Sequence, residues 1–397
     1  MFKPNLAVKN LKGVVIIIVL AFHSVLAYLR FSPASSFAFD DPPYRWLSVP
    51  IVDSERWFGF DLFCALQDLY LMTLMFFISG LFVWPSLTRK GSRTFLFERA
   101  LRLGLPFCLV VGLLMPLAYY PVYRLTALDT SMAAYTEHFL ALPFWPSGPP
   151  WFLGVLLVLD LAVTLVYQLS RNAGDVSILW SVRPRRFVIL LLLASAAAYI
   201  PLALIFTPWQ WVQFGPFGLQ LSRPLHYAVY FFAGVIVGAH GSDRGLLAAD
   251  GTLVRSWNIW AAAATVSFVA WLGVAGLAMR LSGPPLGLQI LQALCFVASC
   301  GSMCMFLLTL FLRFANQPWP ALDSLSDNAF GLYLIHYVFV VWLQYLLLGV
   351  VGSAIVKALA VFGGTLTLSY ATIVAVRRVA AVVKLMGTDR RVLPSGR

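Results

Sequence analysis

The sequence predicts an all-α, polytopic membrane helix bundle of about ten transmembrane helices, with both termini cytoplasmic. Three observations carry this expectation. Of 397 residues, 60% are hydrophobic and 15% aromatic, and only 11% are charged, where a soluble domain carries about a quarter charged. Apolar runs of about 17 to 25 residues, the length that crosses a bilayer core, recur at roughly 13–30, 66–87, 102–120, 151–170, 186–206, 224–240, 257–280, 287–312, 328–349 and 354–376. Backbone polar groups in lipid must be bonded within their own segment, so these runs are read as helices. The third observation is the placement of charge. Arg30, Arg45, Arg56, Arg124, Arg223, Arg280 and Lys357 fall in one set of alternate loops, and the remaining Lys and Arg residues in the other. That bias, about three to one, orients the chain with its basic loops inside. It also accounts for the net charge of +12 without a basic face of the kind that binds nucleic acid.

The first run opens in the stretch LKGVVIIIVLAFH, residues 11–23, which carries Lys12 at its start and His23 at its end. A signal peptide would use the same basic start, with Ser36-Phe37-Ala38 as a small-residue cleavage site. Removing the run would leave an odd number of crossings and invert the charge pattern, so it is kept as a span. Eleven positions at about 100° each bring His23 back to within roughly 20° of Lys12, about 16 Å deeper. One stripe of the helix therefore carries a cation at the interface and an imidazole near mid-depth. The bland counterpart is an orientation signal and a hydrogen-bonded packing residue.

The second run holds Asp68, close enough to the outer side to be interfacial, and closes on FFISGLF. TRKGSRTFLFERALRLGLPF follows, with Arg99-Ala-Leu-Arg102 opening the third run. Arginines at i and i+3 of a helix project to one side, and their forks suit phosphate oxygens. FWPSGPPWFLGVLLVLD then gives a non-helical outer approach, interfacial Trp145 and Trp151, and Asp160 on the third turn of the fourth run. A carboxylate at that depth is paired or protonated, and as partner to an imidazole it would fix the tautomer. The fifth to eighth runs offer little chemistry. Cys64, Cys108, Cys295, Cys300 and Cys304 form no CxxC pair and are expected to be packing residues rather than metal ligands. His138, His226 and His240 lie near span ends or in loops and are given no role. The ninth run, in DSLSDNAFGLYLIHYVFVVWL, starts at Asp327 and Asn328 and carries His336, which suits a structural role bonded to a backbone carbonyl or a facing side chain as well as it suits catalysis. His23, Asp160 and His336 each lie about ten residues from a span end, about 15 Å into a core of about 30 Å. Ionisable residues at that depth are expensive and functional by default.

Taken together, Lys12-x10-His23, Arg99-Ala-Leu-Arg102, FFISGLF and SDNAFGLYLIH, in this order and topology, resemble the membrane acyltransferase 3 family over essentially the whole chain. WFLGVLLVLD and RLGLPF are similar to the branch containing the succinyltransferase of osmoregulated periplasmic glucans. The resemblance implies a single membrane-embedded acyltransferase domain over 1–397 with no appended soluble domain, in a bacterial inner membrane. It implies acetyl-CoA or succinyl-CoA as donor substrate, with no permanently bound cofactor, and an extracytoplasmic glycan or other hydroxyl as acceptor. In that reading Lys12, Arg99 and Arg102 hold the donor's phosphates, and His23, His336 and Asp160 form the catalytic set. A neutral His23 would take the acceptor's proton, or carry the acyl group itself. Monomer and homo-oligomer are both compatible with it. The competing class is a secondary transporter or flippase with a polar midplane path.

Overall fold

A computed structural model of the chain describes residues 5–32, 36–172, 184–241, 245–248 and 251–378. Helix α1 (Leu6–Val25) starts with Asn5 accepting from the Val8 amide and continues as a short 3-10 turn, Leu26–Tyr28. Then come α2 (Phe58–Gly80), α3 (Val83–Lys90), α4 (Ser92–Arg99), α5 (Leu105–Leu109), α6 (Met115–Thr126), α7 (Met132–Ala141), α8 (Trp151–Asn172) and α9 (Pro184–Phe206). After a hairpin, β1 (Trp211–Phe214) and β2 (Phe217–Gln220), the chain forms α10 (Pro224–Ala239), α11 (Thr252–Arg255), α12 (Trp257–Met279), α13 (Leu286–Phe314), α14 (Pro320–Leu346) and α15 (Ala354–Arg377). Among the described residues, nine helical spans are long and apolar enough to cross a membrane. All but one of the ten expected runs are among them.

The exception is α10. It has 16 residues, about 24 Å at 1.5 Å per residue. Its start is set by Pro224 and by Arg223, whose guanidinium donates to both Asp68 oxygens at 2.9 and 2.5 Å and lies over Phe296. Asp68 is therefore not simply an interfacial acid, and Arg223, assigned above to an outer loop, is buried. Glycines bring α10 against α2: a Cβ at Gly234 would fall 2.1 Å from the Phe77 carbonyl oxygen, and one at Gly238 2.0 Å from that of Leu81. Small residues four apart allow this approach where lipid supplies no hydrophobic drive between helices.

The third span is not one regular helix. Residues Ala100–Gly104 and Val110–Leu114 are π-helical. Each widened turn ends two residues before a proline, Pro106 or Pro116. A proline ring clashes with the carbonyl four residues back, and the wider turn relieves that clash.

α1 packs against α2, α13, α14 and α15, which places it inside the bundle. α14 starts at Pro320, about seven residues before the expected Asp327, because the first turns dock on α1. Lys9 Nζ lies 2.8 Å from Asp323 and 3.3 Å from Asp327, and the Arg377 guanidinium donates to the Asp327 carbonyl. This is called the Lys9 end. At the other, Asp53 end, Lys357 Nζ donates to both oxygens of buried Asp53, at 3.0 and 2.8 Å. That joins the α1–α2 connection to the first turn of α15. The antiparallel hairpin, with Phe214 opposite Phe217 across a turn containing Gly215, is additional to the all-helical expectation. Its Gly215 carbonyl accepts from the Trp145 amide at 2.9 Å.

Candidate active site

His23 lies late in α1, and His336 is fully buried midway along α14. Their rings are 5.1 Å apart, and His336 Nε2 is 3.3 Å from His23 Nδ1. The partners decide the tautomers. His336 Nδ1 faces the carbonyls of Leu332 and Tyr333 at 3.1 and 2.8 Å. Carbonyls only accept, so Nδ1 carries the hydrogen and Nε2 of the neutral ring has the lone pair. His23 Nδ1 faces the Val19 carbonyl at 2.9 Å as well as that lone pair, so it too is the N–H. The lone pair of His23 Nε2 is left over, on a ring that is only half-buried. Phe22 and Tyr337 stand edge-on to it at 5.3 and 5.5 Å. Gln344, one helical stretch beyond His336, donates to the carbonyls of His23 and Ser24 at 2.9 and 3.2 Å, which clamps α14 to this end of α1.

Asp160 is elsewhere. Its fully buried carboxylate is 3.3 Å from Arg99 Nε and accepts no well-formed hydrogen bond among the described residues. The expectation that Asp160 partners an imidazole is corrected: its partner is a guanidinium, and His23 is oriented by Val19 and His336. A second correction follows from the π-turn. The wider turn advances less per residue and leaves i+3 farther short of a full turn, so Arg99 and Arg102 do not share a side. Arg99 turns in toward α8 and lies 5.1 Å from the Phe95 ring, whereas Arg102 is exposed. With Nε on Asp160, the two terminal nitrogens of Arg99 have no hydrogen bond among the described residues. Lys12 keeps the expected stripe with His23. It is exposed and, unlike Lys9, makes no ion pair among the described residues.

His226 was passed over in the sequence and is fully buried. Its Nδ1 is 2.9 Å from Ser195 Oγ and its Nε2 3.4 Å from Cys300 Sγ, with Tyr199, Tyr230 and Phe296 around the ring. A histidine two residues after a proline reads as a span end, and only the recessed start of α10 carries it inward. Ser195, alone in a run of apolar residues, was the available signal. Among the described residues no group of three or more His, Cys, Asp and Glu side chains is placed to hold a metal.

The bundle and its inward histidine pair define a multi-pass membrane protein with a polar cluster between its helices. A family model described as an acyltransferase domain matches residues 5–374, nearly the whole chain, and the chain belongs to this acyltransferase 3 family. No curated protein and no solved structure matches it.

Proposed function

We propose that this membrane acyltransferase moves an acetyl or succinyl group from acyl-CoA, bound at the Lys9 end, to a hydroxyl of a glycan on the other side of a bacterial inner membrane. The observation that carries the reading is the free Nε2 lone pair of His23, which the Val19 and His336 contacts leave as the only proton acceptor on that ring. Nε2 takes the proton of the acceptor hydroxyl as its oxygen attacks the thioester carbon. The carbon–sulfur bond then breaks, and the proton passes from the imidazolium to the departing thiolate. While His23 is cationic, its Nδ1–H still meets the His336 lone pair, so His336 stabilises the charged form without exchanging places with it. The terminal nitrogens of Arg99, with exposed Lys12 and Arg102 nearer the Lys9 end, supply cations for the phosphates of the donor. The basic loops favour a cytoplasmic Lys9 end. WFLGVLLVLD and RLGLPF favour a periplasmic glucan as acceptor.

The test is acyl transfer by the purified protein in liposomes, with labelled acetyl-CoA or succinyl-CoA on one side and an extract of envelope glycans on the other. Label in glycan with wild type and not with His23→Ala is expected. Full transfer by His23→Ala would overturn the assignment. Absence of CoA binding and of CoA release would favour a transporter.

A further inference from the structure

The segment Pro146-Ser-Gly-Pro-Pro150, between the hairpin contact of Trp145 and the first turn of α8, dips into the bundle instead of running over it. Ser147 is buried. Three of the five residues are prolines and have no N–H, so this stretch has only two backbone donors, the amides of Ser147 and Gly148. Among the described residues neither donates to any acceptor. Buried backbone N–H groups are almost always paired, so the Ser147 amide lacks an expected partner, while Gly148 is half-buried and open to an incoming group. Non-helical backbone of this kind is tolerated in a membrane protein where it is enclosed by protein or lines a cavity.

A third donor stands at the same place. Gly148 has φ +53°, and a Cβ there would be 2.7 Å from Met115 Sδ and 3.3 Å from Tyr119 Oη. Glycine is required twice over, by the left-handed backbone and by the space. The Tyr119 side chain is fully buried, and the Tyr337 hydroxyl is its neighbour in a contact too poorly aligned for a formed hydrogen bond, from which the Tyr119 hydroxyl can turn to a better acceptor. The same Cβ would be 3.4 Å from the Tyr337 ring, and that ring is the one standing edge-on to His23 at 5.5 Å. The loop is held on both sides. Tyr333, whose carbonyl accepts from His336, donates its hydroxyl to the Pro149 carbonyl. The Trp145 indole donates to the Val111 carbonyl at 2.8 Å, in the second π-turn, and the Trp151 amide donates to the Gly148 carbonyl.

The geometry points to an oxyanion site made by the Ser147 and Gly148 amides and the Tyr119 hydroxyl, serving the acyl transfer at His23 on whose assignment it rests. As the acceptor oxygen bonds to the thioester carbon, the carbonyl electron pair moves onto its oxygen. The three donors hold that charge. When the pair returns, the C=O re-forms, the C–S bond breaks and the thiolate leaves. Donors fixed in advance, in a site shielded from water, stabilise such charge more than the ground-state carbonyl. The same pinning explains why the segment is so rich in proline: the loop is rigid before substrate arrives.

The experiment compares Tyr119→Phe and Ser147→Pro with wild type and His23→Ala in the liposome assay, using acetyl-CoA with the glycan extract and following CoA release. Tyr119→Phe deletes one hydroxyl, and Ser147→Pro deletes one amide hydrogen. Each is expected to lower kcat by about 100-fold, in the range measured for removing one oxyanion donor, with KM for acetyl-CoA and the melting temperature unchanged. Wild-type kcat in Tyr119→Phe overturns the inference, as does a loss confined to KM. If Tyr119→Phe melts early, Ser147→Pro decides alone by the same criterion. An inactive His23→Ala beside an active Tyr119→Phe sinks this inference only. A fully active His23→Ala sinks the acyl-transfer assignment beneath it.

Discussion

At the scale of single residues the proposed mechanism gives the histidine pair and the Asp160–Arg99 pair different work, so their variants should separate. His336→Ala removes the acceptor that faces His23 Nδ1, so the imidazolium formed during transfer loses its partner. A fall in kcat of about 100-fold or more is expected, within the range of general base contributions, with donor KM little changed. Steady-state kinetics in liposomes checks it. Asp160→Asn acts on the other parameter. Without the carboxylate the Arg99 fork is free to swing, and KM for acyl-CoA should rise about tenfold, the equivalent of about 1.4 kcal/mol, while kcat is retained. Titration of CoA binding against wild type measures this directly. An unchanged binding curve would mean that Arg99 meets no donor phosphate. That His23, Asp160 and His336 are ionisable groups inside apolar runs was legible in the sequence, although His23 falls near the end of its helix rather than midway along it. Their pairings were not, because a partner on another helix leaves no mark on local spacing. The Asp160 assignment shows this: a carboxylate at that position demanded a cation or a proton, and nothing in the local sequence told which helix would supply it.

At the scale of elements, spans were legible wherever length and hydropathy act together. They were misjudged where backbone geometry intervenes. The π-turns at Ala100–Gly104 and Val110–Leu114 separate two arginines that an ordinary helix would hold together, and the signal was present in Pro106 and Pro116. The α2–α10 crossing depends on Gly234 and Gly238, and a side chain at either would meet backbone rather than a movable group. Gly234→Val is expected to destabilise by several kcal/mol, as overpacked interiors do, at about 1–3 kcal/mol or more. An early thermal transition in detergent checks it. Lys357 gives an independent prediction. Replacing it by Ala strands the buried Asp53 carboxylate, and breaking a buried pair by removing one partner costs about 3–5 kcal/mol. Lys357→Ala should therefore melt well below wild type, and the added substitution Asp53→Asn should recover part of the loss. No recovery would mean that the pair is not what holds the α1–α2 connection to α15.

At the scale of the whole molecule, the two ends of the bundle differ in how they are tied. The Lys9 end is joined by exposed ion pairs from Lys9 to Asp323 and Asp327. The Asp53 end is joined by a buried pair, by the loop at Pro146–Pro150 and by the hairpin. The proposed orientation, drawn from the basic loops, puts the Lys9 end in the cytoplasm. A cysteine placed at Thr130, in the exposed α6–α7 connection, should then react with a membrane-impermeant maleimide in intact cells, in a chain whose exposed Cys108 is first replaced by Ser. Labelling only after lysis would invert the topology and place the donor on the opposite side.

The length of α10 has a further consequence, set by the surrounding lipid. Its 16 residues rise about 24 Å, whereas the 29 residues of α13 rise about 44 Å, against a hydrocarbon core of about 30 Å. A thick bilayer leaves the recessed start of α10 short, and a thin one forces α13 to tilt further. Hydrophobic mismatch therefore falls on the Arg223–Asp68 junction and the buried His226 beside it, so acyl-chain length is a variable of the enzyme as much as of its solvent.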